Sequence, residues 1–243
     1  MSDKIAKLRQ MIRESNNIVF FGGAGVSTES GIPDFRSKDG LYNQKYKFPP
    51  EIILSHGFFI ENPEEFYMFY KDKMNCLDAK PNITHYTLAK LEDVGKLKCV
   101  ITQNIDGLHQ KAGSKNVAEL HGSIYRNYCT RCKKSFDSNY IFNSEYVPKC
   151  ECGGTIKPDV VLYNEKLNDT TMQNAIQAIE NCDLLIVGGT SLTVYPASSC
   201  VSKFYGENLV IINRDATDYD TRASLVINES LGTVFEEIMK DYE

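Results

Sequence analysis

Eight cysteines occur in this 243-residue chain, and four of them form two close pairs, Cys129 with Cys132 and Cys150 with Cys152. Two such knuckles can close a tetrahedral zinc site, with Zn–S bonds of about 2.3 Å. Four thiolates leave the ion no open position, so the expected role of the Zn2+ is structural. A small insertion without its own core would take its fold from the metal. Gly23, Ala24 and Gly25 follow a short apolar run, in a turn where backbone N–H groups can meet a pyrophosphate. A tight strand–helix turn without ligand fits the same residues. Asn104 and Asp106 stand two apart beyond Cys99-Val100-Ile101-Thr102, as a ligand-facing pair or as an Asx turn ending a strand. His121 follows Ala118-Glu119-Leu120. An imidazole near its ordinary pKa of about 6.5 suits a general base, and a hydrogen-bonded structural histidine is the plain alternative. His56, His85 and His109 match no catalytic pattern and are expected to be structural.

These groups need a scaffold. Ile5, Leu8, Met11 and Ile12 recur at helical spacing, so the chain is expected to open with an amphipathic helix. Ile18-Val19-Phe20-Phe21 reads as a buried strand running into the glycine turn, which is expected to open a helix. Further apolar runs start at Cys99, Val160, Leu184 and Leu209, and Leu225-Val226-Ile227 reads as a short edge strand. Helical patterns separate most of them, for instance around Leu88, across Met172, Ala175 and Ile179, and finally through Val234, Phe235 and Ile238. Continuous apolar strands alternating with helices imply a doubly wound parallel sheet of the α/β class. Two stretches break the rhythm, residues 37–81 and residues 123–158, the second holding the paired cysteines. They are expected to build a smaller zinc-containing domain from insertions. The expected division is 1–36, 82–122 and 159–243 for the large domain, and 37–81 with 123–158 for the small one.

The composition removes other classes. A hydrophobic fraction of 42% with 24% charged residues is ordinary globular usage, not that of a disordered or collagen-like chain. The net charge of -5 argues against a nucleic-acid partner unless a local basic patch exists. Arg131, Lys133, Lys134 and Lys149 supply only a modest one. No apolar run has the length of a membrane span, and the N-terminus carries no signal-like apolar segment, so a cytoplasmic location is expected. Paired cysteines then argue for metal over disulfides. Cys76, Cys99, Cys182 and Cys200 are expected to pack as small hydrophobes. No heptad or long apolar surface pattern calls for assembly, so a monomer is expected.

Extending the glycine turn gives the run from Gly23 through Thr28 to Gly31, Ile32, Pro33, Asp34, Phe35 and Arg36. It strongly resembles the nucleotide-binding signature of the sirtuins, NAD-dependent protein deacylases with a Rossmann-like domain. Thr102-Gln103-Asn104-Ile105-Asp106 resembles the second signature, and His121-Gly122 the catalytic His-Gly. Gly189, Thr190 and Ser191, with Asn213 and the neighbouring Arg214, stand where the family makes its adenosine-side contacts. The resemblance implies that Ile105 and Asp106 hold the nicotinamide carboxamide while Gln103 and Asn104 face the nicotinamide ribose, with Asn104 counted beside His121 as a catalytic residue. It implies that the acyl oxygen of a modified lysine attacks the ribose carbon bearing nicotinamide, after which His121 deprotonates a ribose hydroxyl. Phe35 would shield the reacting centre, and Arg36 would help hold the cofactor. The segment from Pro158 to Glu165 resembles the stretch that pairs with the substrate peptide, through Val160, Val161 and Tyr163. Where the family often has Phe-Gly-Glu, this chain has Tyr163-Asn164-Glu165. Family members acting on acidic acyl groups carry Tyr-x-x-Arg, and the matching residues here are Tyr67 to Tyr70, without the arginine but with Lys71 adjacent. The implied activity is deacetylation of protein lysine with consumption of NAD. Mono-ADP-ribosyl transfer, a silent NAD sensor or zinc-ribbon module, and a hydride-transferring dehydrogenase are the alternatives. The last is disfavoured by Thr28 at the third glycine position and by the missing ribose carboxylate.

Overall fold

The structure is a computed structural model and describes residues 2–35, 40 and 46–242. Six parallel strands form the main sheet: β1 (Ile18–Gly22), β2 (Leu97–Thr102), β3 (Val117–Glu119), β7 (Leu184–Gly188), β8 (Leu209–Ile212) and β9 (Leu225–Ile227). Their order is β3-β2-β1-β7-β8-β9. The chain therefore builds outward from β1 in one direction, then restarts at β7 and builds in the other. That reversal opens a crevice at the carboxyl ends of β1 and β7, where doubly wound sheets bind ligands.

Both faces of the sheet are covered, which is why its strands are continuously apolar. All five residues of β1 are buried. Ile18 and Phe20 point into one core with α1 (Ser2–Glu14), α5 (Ile83–Asp93) and α9 (Leu231–Met239), through Leu8, Leu88 and Phe235. Val19 and Phe21 point into the other, against Ala175 and Ile179 of α8 (Asp169–Asn181) and the 3-10 segment Ala197–Lys203. Cys99, Cys182 and Cys200 lie in this second core as small apolar groups.

The remaining strands form an antiparallel sheet ordered β5-β4-β6, from β4 (Gly122–Cys129), β5 (Ser135–Phe136) and β6 (Ile156–Val160). Here the structure corrects one expectation. The apolar run at Val160 does not join the parallel sheet; its first residue ends β6, which pairs antiparallel with β4. Apolarity alone cannot tell a strand of one sheet from a strand of another. A third core unites the two insertions. Phe58 and Phe59 of α3 (His56–Glu61) and Phe66, Tyr67 and Tyr70 of α4 (Pro63–Lys73) pack with Ile124, Ile156 and Ile141 of α7 (Ser138–Phe142). Edge-to-face rings such as Phe59 on Phe66, at 5.1 Å and 77°, give this core its shape. Of two further helices, α2 (Pro50–Ile53) packs with α3 and α4, and α6 (Leu108–Ala112) packs with α5. Among the described residues, no helix is long and apolar enough to cross a membrane.

Candidate active site

The turn beyond β1 is built against the turn beyond β7. Gly23 N–H donates to the Gly188 carbonyl at 3.2 Å, and Gly25 N–H to the Gly189 carbonyl at 2.8 Å. A Cβ on Gly25 would lie 2.7 Å from Gly189 Cα, so a side chain there would force the two turns apart. Glycine at this position thus serves the packing of the crevice walls as well as any ligand. The expected helix after the turn is not formed. Residues 24–26 and 28–30 make two single 3-10 turns, ending at Gly31 in the left-handed region with φ +81°. The first-turn amide of Gly25, which has no acceptor within a helix, is satisfied by the Gly189 carbonyl.

Ser27 gathers the polar groups beneath this turn. Its hydroxyl donates to Asp106 Oδ2 at 2.7 Å and accepts from Asn104 Nδ2 at 3.0 Å. Asn104 Nδ2 also reaches the Gly23 carbonyl at 3.0 Å. Asp106 is buried and accepts a second hydrogen bond from Leu108 N–H at 2.9 Å. Burial raises its carboxyl pKa above the ordinary range, opposed by the bonds from Leu108 and Ser27. Ile105, between them, packs against the core of the small module. Gln103 Nε2 donates to Thr190 Oγ1 at 3.0 Å, joining the ends of β2 and β7.

His121 Nδ1 lies 2.9 Å from the Gln103 carbonyl oxygen. An oxygen acceptor there requires the proton on Nδ1, so in the neutral ring Nε2 carries the lone pair. Burial pushes the imidazole pKa below its ordinary value, partly offset by the Gln103 carbonyl. The ring is therefore a neutral base at physiological pH. The His121 carbonyl accepts from Val161 N–H at 2.9 Å. Gly122 follows with φ +75°, and a Cβ there would sit 1.8 Å from the Asp159 carbonyl oxygen. Only glycine lets β6 close on the turn that carries the histidine.

β6 is a terminal strand of its sheet, with Val160 paired to Gly122 on one side. Tyr163 has its backbone engaged: its N–H donates to the Leu54 carbonyl at 2.9 Å and its carbonyl accepts from His56 N–H at 3.0 Å. The residue is 37% exposed. Asn164 adopts φ +69°, the conformation a glycine would take there. Asparagine tolerates that left-handed region better than most residues. Glu165 locks the loop, accepting from Leu162 N–H at 2.8 Å and Lys157 Nζ at 3.0 Å, with His56 Nδ1 at 2.7 Å.

The remaining expected site residues divide as follows. Gly189, Thr190 and Ser191 follow β7, and Asn213 and Arg214 follow β8, all at the carboxyl edge of the parallel sheet. Asn213 N–H bonds to the Ile227 carbonyl, its Nδ2 donates to the Asp215 carbonyl at 2.9 Å, and Arg214 is exposed. Thr28 Oγ1 donates to the Gly25 carbonyl at 3.1 Å. Asp34 and Phe35 are half-buried, Phe35 against the small module's core. Arg36 lies outside the described residues. Ser27, Glu165 and Arg126 were not singled out from sequence. Ser27 stands inside the glycine motif and Glu165 ends the peptide-pairing segment, but Arg126 has no motif to reveal it.

The four paired cysteines converge. Their Sγ atoms all lie within 4.8 Å of one another, with Cys129 to Cys152 at 3.4 Å and Cys132 to Cys150 at 3.6 Å. A zinc tetrahedron with 2.3 Å bonds has edges of about 3.8 Å, so the sulfurs fit the ion. Arg131 and Cys132 N–H groups both point at Cys129 Sγ at 3.4 Å, a pattern that holds a thiolate.

A parallel sheet with a glycine turn at its reversal point, a lone-pair histidine beside it and a four-cysteine module defines a nucleotide-dependent enzyme with a structural metal. Residues 23–196 match the Sir2 family, and the chain belongs to it. It is 58% identical to an NAD-dependent protein deacetylase of Clostridium acetobutylicum over 98% of each chain. Identity to one of Clostridium perfringens is 57%, covering 98% of this chain and all of that one. Among solved structures, Sir2 with a deacetylated p53 peptide and 3′-O-acetyl-ADP-ribose superposes with a TM-score of 0.89 at 40% identity over 98% of each chain. Sir2 with p53 peptide and NAD gives 0.87, again at 40% identity over 98% of each chain.

Proposed function

We propose that His121 is the general base of an NAD-dependent protein-lysine deacetylase, and that the crevice between the ends of β1, β2 and β7 is its NAD site. The overall activity is transfer of an acetyl group from lysine to ADP-ribose with release of nicotinamide, in keeping with the activity named for the relatives. The donor set fits the nucleotide. Asp106 is a buried carboxylate with acceptor capacity beyond Ser27 and Leu108, suited to a carboxamide N–H2. When bound, NAD supplies the ribose carbon that accepts the acyl oxygen as nicotinamide leaves.

The rest is work for this chain's side chains. Asp106 and Ile105 orient the carboxamide, and Gln103 with Asn104 faces the adjoining ribose. His121 Nε2 takes the proton of a ribose hydroxyl, its tautomer fixed by the Gln103 carbonyl. Phe35 closes the apolar side and excludes water, and we assign to Arg36 the role of helping to hold the cofactor. Residues 23–25 with Thr28 and Asp34 hold the pyrophosphate side, and residues 189–191 with Asn213 and Arg214 hold the adenosine. An acetylated peptide adds as a strand along the open edge by Val160 and Val161, with Tyr163 contributing its ring. We read the acyl group as uncharged: the Tyr67 hydroxyl gives its one proton to the Ile156 carbonyl, and Lys71 Nζ directs two of its three N–H donors to the Ser144 and Tyr146 carbonyls at 2.5 and 2.7 Å, with no arginine at position 70. Zinc held by Cys129, Cys132, Cys150 and Cys152 stabilises the small module and takes no part in the reaction.

We read the large unit as residues 1–36, 82–122 and 159–243, the small one as 37–81 and 123–158, and the protein as a cytoplasmic monomer without nucleic-acid partners. The single observation carrying the assignment is the His121 to Gln103 contact, which sets a neutral base beside the Asn104 to Asp106 segment. Mass spectrometry of an acetylated peptide incubated with protein and NAD tests it. A peptide lighter by one acetyl group with matching acetyl-ADP-ribose is expected; ADP-ribosylated peptide or no reaction would overturn it.

A further inference from the structure

β4 contains an irregularity whose position is informative. Its register with β6 runs Gly122 to Val160 and Ser123 to Asp159, then resumes at Asn127 to Pro158. Ile124, Tyr125 and Arg126 therefore bulge out opposite the single step from Asp159 to Pro158. Bulges beside active sites re-aim side chains. This one sends Ile124 N–H to the Ile105 carbonyl at 3.1 Å, inside the segment assigned to nicotinamide. It sends Arg126 across the junction of the two sheets. The Arg126 guanidinium donates from Nε to Asp159 Oδ2 at 2.7 Å and from an Nη to Glu119 Oε2 at 2.6 Å.

Each partner is two residues from a functional group. Glu119 ends β3 and precedes Leu120 and His121; its side chain is 9% exposed. Asp159 precedes Val160 and Val161, and Val161 N–H bonds the His121 carbonyl. One guanidinium thus spans the strand leading to the base and the strand whose open edge receives the peptide. Arginine's rigid planar fork fixes two carboxylates in relative position more firmly than a flexible ammonium does.

We propose that Arg126 is a positioning residue for deacetylation: by bridging Glu119 and Asp159 it holds the His121 turn in register with the peptide-docking edge of β6. The proposal rests on the reading of His121 as base and of β6 as docking edge. It touches the peptide side of the cleft, so its loss should separate the two substrates kinetically. Arg126→Gln is expected to melt close to the parent protein and to raise the peptide KM about three- to tenfold, the range for losing a partly exposed charged pair with two arms. The NAD KM should stay within about twofold. Arg126→Lys, which keeps the charge and one arm, should recover part of the peptide KM.

Steady-state rates with peptide varied at saturating NAD, and with NAD varied at saturating peptide, decide the matter. A folded Arg126→Gln protein with unchanged peptide KM overturns the proposal, as does one in which both KM values rise together, since that marks general loosening. Should Arg126→Gln fail to fold, Asp159→Ala removes the exposed arm alone; a raised peptide KM supports the clamp, and an unchanged one overturns it. His121→Ala assayed in parallel separates the two readings. If it retains activity, the base assignment fails; if it is inactive while Arg126→Gln behaves as parent, only the clamp fails.

Discussion

Ser27 Oγ lies 2.7 Å from Asp106 Oδ2 and at the same time accepts the Asn104 amide at 3.0 Å, so one buried hydroxyl joins the glycine turn after β1 to the segment after β2. Ser27 is 1% exposed and Asp106 4%. Replacing Ser27 by Ala removes a hydrogen bond to a buried carboxylate and leaves the Asn104 amide one acceptor short. The expected result is a loss of about tenfold or more in kcat/KM for NAD, corresponding to about 1.4 kcal/mol or more. Initial rates at limiting NAD check this, and a parent-like value would count against the pocket as drawn.

Metal removal should act on the small module first. The four sulfurs form a closed set with no place for substrate. A chelator or Cys132→Ala is expected to release the zinc, lower the melting temperature and abolish deacetylation. Metal analysis with thermal melting follows the effect. Full activity in zinc-free, folded protein would make the assignment untenable.

Asn164 occupies the left-handed region that glycine adopts most readily. At φ +69°, Asn164→Gly should leave the peptide KM within about twofold, while Asn164→Val places a β-branched residue in a conformation costing about 1–2 kcal/mol and should raise it. Equal KM values for the two variants would show that the loop conformation is immaterial to binding.

Acid sensitivity follows from two buried histidines. The rings of His85 and His109 meet at an interplanar angle of 56° with centroids 4.7 Å apart, and neither His109 nitrogen has a hydrogen-bond partner among the described residues. Burial lowers the His85 pKa to about 4 and that of His109 well below its ordinary value. Both are depressed in the folded state, so the unfolded chain binds protons more readily at low pH. Stability is then held above the unfolded value of about 6.5 and declines as pH falls towards about 4. Melting temperatures from pH 7 to pH 5 should fall, and His109→Phe should shallow the slope; an unchanged slope in that variant would refute the assignment to this pair.

Much of the fold was legible because periodicity reports burial. The five-residue apolar β1 and the helical spacing of Leu8, Met11 and Ile12 led directly to observed elements. The run at Val160 misled, since an apolar strand looks the same in a parallel sheet and in a three-stranded antiparallel one. The glycine turn has the pattern of a helix start, yet residues 24–26 and 28–30 form two 3-10 turns, and the packing of Gly25 on Gly189, far away in the chain, leaves no trace in the local sequence. The cysteine module was legible because its chemistry is local in sequence. The hydrogen bonds of Ser27 and the reach of Arg126 depend on tertiary placement and on a bulge, neither of which leaves a periodic trace.

The central claim is that a neutral imidazole at position 121, its tautomer set by the Gln103 carbonyl, performs the proton transfer that completes deacetylation. The most direct test is the rate of acetyl-ADP-ribose formation by His121→Ala protein whose NAD binding and melting match the parent. The expected outcome is a fall of about 10²-fold or more, within the range for losing a general base. Formation of product at the parent rate by that folded, NAD-binding variant would contradict the account.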